Sequence, residues 1–98
     1  MELGKQQTQG RATNMFEKWL RCRIFKGMFS DELAVQITQK GEPQEFSVFV
    51  PKDKVQGRID AEGRVRVRVF HRGDVAWAVL PTENKTTVPV DESQLSAA

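Results

Sequence analysis

The stretch from Arg64 to Val69 reads R-V-R-V-R-V, and it is the clearest indication of the fold in this chain. Side chains of a β-strand point alternately to its two faces, so a period of two separates the valines from the arginines. An apolar row on one face and a charged row on the other are typical of a half-buried strand. We therefore predict a strand with buried valines and solvent-exposed arginines.

Five other segments alternate in the same way, namely 18–26, 33–38, 46–50, 75–79 and 86–90. The composition agrees, because the chain has eleven valines and only five leucines, and branching at Cβ favours strands over helices. Short strands at this spacing predict an all-β fold of five or six mostly antiparallel strands, closed or nearly closed into a small barrel. In size the domain resembles SH3-like barrels, which is a likeness of architecture alone.

The predicted core takes one side of each alternating segment. Its members are Leu20, Cys22, Ile24, Leu33, Val35, Ile37, Phe46, Val48, Val50, Val65, Val67, Val69, Val75, Trp77, Val79 and Val88. Between the strands, the segment 51–63 is expected to be a longer connection and 71–74 a tight hairpin, because Gly73 can adopt positive φ. Pro89 lacks a backbone donor, which predicts a sheet edge or a bulge at the last strand.

One segment has two readings. Ser30 and Asp31 can cap a short helix that ends at Gly41. The β-branched residues Val35 and Ile37 favour a strand instead.

The length of 98 residues predicts one domain, and we expect it to span 15–95. Residues 1–14 are polar and rich in glutamine, so they are expected to form a disordered tail, as are residues 96–98. A single cysteine excludes an internal disulfide, and a single histidine excludes a His-rich metal site. No apolar run is long enough for a membrane span or a secretory signal, so we expect a cytoplasmic protein. We also expect it to have no metal and no cofactor.

The outward rows of the first and fourth predicted strands carry arginines and aromatic rings. Between Lys18 and Lys26, and again between Arg64 and Arg72, there are four strongly basic residues and no acid. A glycine turn after the first row adds two large apolar side chains. The candidate binding residues are Trp19, Arg21, Arg23, Phe25, Met28, Phe29, Arg64, Arg66, Arg68 and Phe70.

These residues support two binding functions. Arginine and tryptophan are favoured anchors of protein interfaces, so the first is a non-enzymatic module that binds a protein partner or a second copy of itself. The second is weak binding of single-stranded nucleic acid, which needs both rows on one face, although a formal charge of +2 is small for that function. In a third interpretation the arginines are only a solvated surface, paired with Glu32, Glu42 or Glu45.

Other residues have simpler interpretations. Met28 and Phe29 form either a contact surface or a plug at the open end of the barrel. Cys22 has the parity of a buried structural thiol, although the neighbouring arginines could lower the pKa of an exposed one. His71 would be the acid–base group if the protein were an enzyme. It has no evident partner in the sequence, so we predict no catalytic residues.

Overall fold

The computed structural model describes residues 15–41 and 45–98, and the expected tail 1–14 lies outside them. The strands are β1 (Phe16–Lys26), β2 (Glu32–Thr38), β3 (Glu45–Pro51), β4 (Val55–Gly57), β5 (Ala61–Arg72), β6 (Val75–Val79), β7 (Thr87–Val90) and β8 (Leu95–Ala97). Two 3₁₀ turns, Lys52–Lys54 and Glu92–Gln94, complete the regular structure of these residues. The all-β prediction is confirmed, and the segment with two readings is the strand β2.

All eight strands belong to one antiparallel sheet, which curls into a half-barrel. Six of them follow the order β3-β2-β1-β5-β6-β7, while β4 pairs with β5 and β8 with β1. Each of the two long central strands, β1 and β5, pairs with two different strands along one of its edges. β1 pairs first with β8 and then with β2, and β5 pairs first with β4 and then with β6. The sheet therefore divides into two overlapping halves that share β1 and β5.

The core lies on the concave side of the sheet. The valines of β5 are buried and the arginines between them are exposed, as the sequence predicts. The apolar cluster consists of Leu20, Cys22, Ile24, Leu33, Val35, Ile37, Val50, Val65, Val67, Val69, Ala76, Ala78, Leu80, Val88 and Val90. Phe46 and Val48 point inward from the edge strand β3 but stay partly exposed, because no strand of the described residues covers that edge.

The predicted inward face of β6 is wrong. Val75, Trp77 and Val79 were expected inside, whereas Ala76 and Ala78 are buried in their place. The cause is the two-residue turn between β5 and β6, where Gly73 has a φ of +63° and Arg72 pairs directly with Val75. Directly paired residues share a face, so the outward arginine places the valine and the tryptophan outward too.

Two short strands were missed. β4 lies within the segment expected to be a connection, and it ends where Gly57 pairs with Gly63. A methyl group on Gly63 would collide with the backbone oxygen of Gln56 and with Cδ1 of Ile24, so this hairpin needs glycine there. β8 pairs Ser96 with Trp19, so the prediction of a disordered tail at 96–98 is wrong for residues 96 and 97.

The last strand of the six-strand path, β7, lies at an edge of the sheet, as Pro89 predicts. The carbonyl oxygen of Pro89 accepts a hydrogen bond of 2.8 Å from the backbone N–H of Lys40. This bond connects the chain after β2 with the opposite edge of the half-barrel. Within residues 15–41 and 45–98, no helix has the length and apolarity that crossing a membrane requires.

Candidate binding face

The two arginine rows lie side by side on the convex face of the sheet. β1 and β5 are neighbours, and their register places Arg21 opposite Arg64 and Trp19 opposite Arg66. Directly opposed residues have Cβ atoms about 4.5–5.5 Å apart and share a face. We call this surface the arginine face, and its members are Trp19, Arg21, Arg23, Arg64, Arg66 and Arg68.

Trp19 lies at the centre of the arginine face, and its neighbours cover it. The guanidinium carbon of Arg64 is 4.6 Å from the centre of the indole ring, and that of Arg66 is 5.3 Å from it. Only 9% of the tryptophan remains exposed. Both distances are those of cation–π contacts, so the ring supports the two arginines from below and offers no free surface for stacking.

Polar neighbours hold the same two arginines from the sides. Nε and Nη2 of Arg64 donate hydrogen bonds of 3.0 and 2.8 Å to the side-chain oxygen of Gln56. Nε of Arg66 lies 3.0 Å from Oε1 of Glu17. The middle of the arginine face is therefore ordered, although its guanidinium groups remain in contact with solvent.

Two of the acids proposed as partners of the arginines, Glu32 and Glu45, have hydrogen-bond partners other than arginine. Oε2 of Glu32 accepts hydrogen bonds from the backbone N–H groups of Met28 and Phe29, at 3.1 and 3.3 Å. The carboxylate of Glu45 lies 3.5 Å from the hydroxyl of Thr38, and Glu42 is outside the described residues. In the described part of the chain, Glu17 is the acid within ion-pair distance of the arginine face.

The apolar candidates lie beside one end of the arginine face. Phe25 is half-buried and is opposite Ala34, which in turn is opposite Phe49 on the edge strand. Met28 and Phe29, in the loop between β1 and β2, are 75% and 68% exposed. They do not plug the barrel, since the Glu32 carboxylate holds their backbone in an outward loop. We call Phe25, Met28, Phe29, Ala34 and Phe49 the apolar patch.

Phe70 lies beyond the other end of the arginine face and is half-buried. Its ring stacks on Trp77, with centroids 6.5 Å apart and an interplanar angle of 9°. The guanidinium carbon of Arg72 lies 5.9 Å from the same ring. Phe70 is therefore occupied by its neighbours and is separated from Phe25 by the length of the arginine face.

A cleft at the edge of the arginine face contains two residues that the sequence did not single out. It encloses about 160 Å³ and joins Lys54 and Lys85 to Arg66, Arg68 and Glu17. Its remaining lining is apolar and consists of Val67, Val79, Leu80 and Pro81. Lys54 comes from the segment expected to be a connection, and Lys85 lies between the alternating segments 75–79 and 86–90, so no strand pattern could have placed them near the arginines.

The remaining candidates for chemistry are His71 and Cys22. Nε2 of His71 lies 2.6 Å from Oε2 of Glu92, and both side chains are about half exposed, at 45% and 65%. Cys22 is buried, and burial, with a smaller contribution from Glu62, raises the pKa of its thiol from 9.0 to about 12. Within residues 15–41 and 45–98, no three His, Cys, Asp or Glu side chains come together in a way that would hold a metal ion.

Comparison of the chain with known protein families, with curated proteins and with solved structures gives no match.

Proposed function

We propose that the protein is a non-enzymatic, cytoplasmic binding module that takes an acidic segment of a partner protein on its arginine face. The observation that carries the proposal is the register of β1 and β5, which brings Arg21 and Arg64 directly opposite each other. Five guanidinium groups thus share one exposed surface with the carboxylates of Glu17 and Glu62, and this excess of positive charge occurs although the whole chain has a formal charge of only +2. The sign of that surface favours a negatively charged partner.

The fixed positions of the arginine side chains support binding of carboxylates. A guanidinium group presents a planar fork of donors that matches a carboxylate in two-point contact. Trp19, Gln56 and Glu17 already fix the side chains of Arg64 and Arg66. Side chains that are ordered before binding lose less conformational entropy when a partner arrives.

The apolar patch provides the second half of the interface. Acidic side chains alone would form exposed ion pairs, which contribute about 0–1 kcal/mol each. Large exposed apolar side chains such as Phe29 and Met28 are more effective anchors, because a partner removes them from water. We therefore expect the partner segment to combine acidic residues with at least one large apolar residue.

Single-stranded nucleic acid is the alternative ligand, and the shared face of the two rows meets its first requirement. Its second requirement is aromatic rings on which bases can stack. Trp19 is covered by arginines and Phe70 is stacked on Trp77. The rings that remain well exposed are Phe29 and Phe49 on the apolar patch and Phe16 at the start of β1, opposite Val69, and they lie beside the guanidinium groups instead of among them. This arrangement favours a protein partner.

The test compares two fluorescein-labelled probes by fluorescence anisotropy. One is a peptide rich in aspartate and glutamate around one leucine, and the other is single-stranded oligothymidine. The variant carries Arg21→Glu and Arg64→Glu, and the matched control carries Lys40→Glu and Lys52→Glu, which make the same change of charge at exposed positions off the face.

We expect the peptide to bind the native protein and the control, and to lose about tenfold or more in affinity with the arginine variant. Binding should weaken between about 50 and 300 mM salt, because the contacts are exposed charges. Equal losses in both variants, or binding of the oligonucleotide alone, would refute the proposal. Sedimentation equilibrium of the protein alone shows whether a second copy is the partner; dimers abolished by the arginine variant would identify it.

A further inference from the structure

We propose that the cleft beside the arginine face binds the phosphate monoester of a phosphorylated side chain in the partner protein. This inference rests on the proposed function, since it specifies one chemical group of the partner. It starts from the place where β5 changes its neighbour. On this edge of β5, Val65 pairs with Val55 of β4 and Arg68 pairs with Val79 of β6. At Arg66, between these two pairs, β5 therefore has no neighbouring strand on this edge.

This gap beside β5 leaves a cavity of about 160 Å³, and its lining carries more positive than negative charges. Lys54 and Lys85 enter it from the two sides, and Arg66 and Arg68 enter it from β5. Among the described residues, the one acid in the lining is Glu17, whose Oε1 lies 3.0 Å from Nε of Arg66. Four positive charges therefore face one negative charge.

This imbalance suits a phosphate monoester better than a carboxylate. A phosphorylated side chain carries a charge of about −1.5 to −2 near pH 7 and has three strong acceptor oxygens. It can therefore use several cationic donors at once, whereas a carboxylate has one charge and two oxygens. Lys54, Lys85 and Arg68 each offer donors, and in the described part of the chain no acid lies within ion-pair distance of them.

The segment that carries Lys85 is held in place without any ligand. The backbone N–H of Lys85 donates a hydrogen bond of 3.0 Å to the carbonyl oxygen of Thr82, and Lys85 has a φ of +53°. The hydroxyl of Thr82 accepts a hydrogen bond of 2.8 Å from the backbone N–H of Thr86. It also donates a hydrogen bond of 2.9 Å to the hydroxyl of Thr86. The lysine is thus presented from an ordered loop, which lowers the entropic cost of binding an anion.

The remaining lining favours an amino-acid side chain over a nucleotide. Val67 and Leu80 are buried beneath the cleft, and Val79 and Pro81 are half-buried. This apolar floor suits the β-methylene group of phosphoserine or the methyl group of phosphothreonine. Within the described ranges of the chain, the cleft lining contains no aromatic residue on which a base could stack.

The experiment uses the full chain and three peptides of one sequence, which carry serine, phosphoserine or glutamate at the central position. The variant Lys54→Met and Lys85→Met removes two cations of the cleft and leaves the arginine face complete. The control Lys40→Met and Lys52→Met removes the same charge elsewhere. Affinities are measured by isothermal titration calorimetry, and ¹H–¹⁵N spectra follow inorganic phosphate added alone.

We expect the native protein and the control to bind the phosphoserine peptide about tenfold or more tightly than the serine peptide. The cleft variant should lose this preference while keeping its affinity for the acidic peptide of the previous test. Inorganic phosphate should shift the amide signals of Val67 and Lys85 in the native protein and not in the cleft variant.

Two results would overturn the proposal. The first is equal affinity for the serine and phosphoserine peptides, and the second is a phosphoserine preference that survives in the cleft variant. If either occurs while the acidic peptide still binds the arginine face, the phosphate site fails and the proposed function stands. If the acidic peptide fails to bind but inorganic phosphate shifts the cleft signals, the proposed function fails and the anion site remains. Preference of the cleft for oligothymidine over the phosphopeptide would also contradict the proposal.

Discussion

Replacing Trp19 by alanine should destabilise the protein far more than its position on the convex face suggests. The residue is 9% exposed, because Arg64 and Arg66 lie over its ring. A buried tryptophan removes roughly 150–250 Å² from water. At about 25 cal/mol per Å², that burial corresponds to about 4–6 kcal/mol before any relaxation.

The expected loss is smaller than this gross value, because alanine keeps part of the burial and the arginines can fold into the space. We predict a decrease of about 3 kcal/mol in the free energy of unfolding, at the lower end of the about 3–5 kcal/mol typical of buried aromatic residues. For a domain of this size, the melting temperature should fall by about 12–24 °C. Trp19→Phe keeps an aromatic ring under the guanidinium groups and should cost clearly less.

Urea unfolding followed by circular dichroism measures this loss directly. A decrease below about 0.5 kcal/mol would be that of an ordinary surface substitution and would refute the assignment of Trp19 as the covered centre of the arginine face. Fluorescence gives a second measurement, since Trp19 and Trp77 are the two tryptophans of the chain. In a Trp77→Phe variant, the remaining emission should be protected from iodide quenching until the protein unfolds.

Three further predictions concern other parts of the molecule. Gly63→Ala should destabilise the protein by about 1–3 kcal/mol in urea, because its methyl group meets backbone; a cost as small as that of Ser47→Ala would contradict the packing of the β4–β5 hairpin. The folded Cys22 thiol keeps its proton to about pH 12, whereas 9.0 is its pKa without burial, so stability should fall as pH rises between these values. Cys22→Ala should reduce that fall, and an unchanged slope would mean that the thiol is exposed. Met28→Ser and Phe29→Ser should change stability by less than about 0.5 kcal/mol yet weaken binding of the acidic peptide, and unchanged affinity would remove the apolar patch from the interface.

The alternation of valine and arginine predicted the central strand and its buried face correctly. That prediction works because each strongly polar side chain leaves one parity for the core. It failed on β6, where Val75, Trp77 and Val79 alternate with alanines and both parities are apolar. There the two-residue turn at Gly73 decides the face, since it fixes which residue of β6 lies opposite Arg72. Counting register through the turn would have corrected the prediction.

The binding residues were predicted in type but not in arrangement. The sequence places guanidinium groups on the outward faces of two strands, but only the pairing of β1 with β5 brings Arg21 beside Arg64. The burial of Trp19 depends on the same pairing, because its cover comes from the neighbouring strand. Lys54 lies in a 3₁₀ turn and Lys85 in a loop, and neither segment has the alternating pattern of a strand, so their approach to the cleft depends on tertiary structure alone.

The register between β1 and β5 is the central claim, and interstrand nuclear Overhauser effects test it most directly. In uniformly labelled protein, we expect contacts between the backbone protons of Arg21 and Arg64 and between those of Trp19 and Arg66. A shift of one residue, with Arg21 opposite Val65, would turn one row of arginines to the other face. Observation of that shifted set would contradict the arginine face and the functions proposed for it.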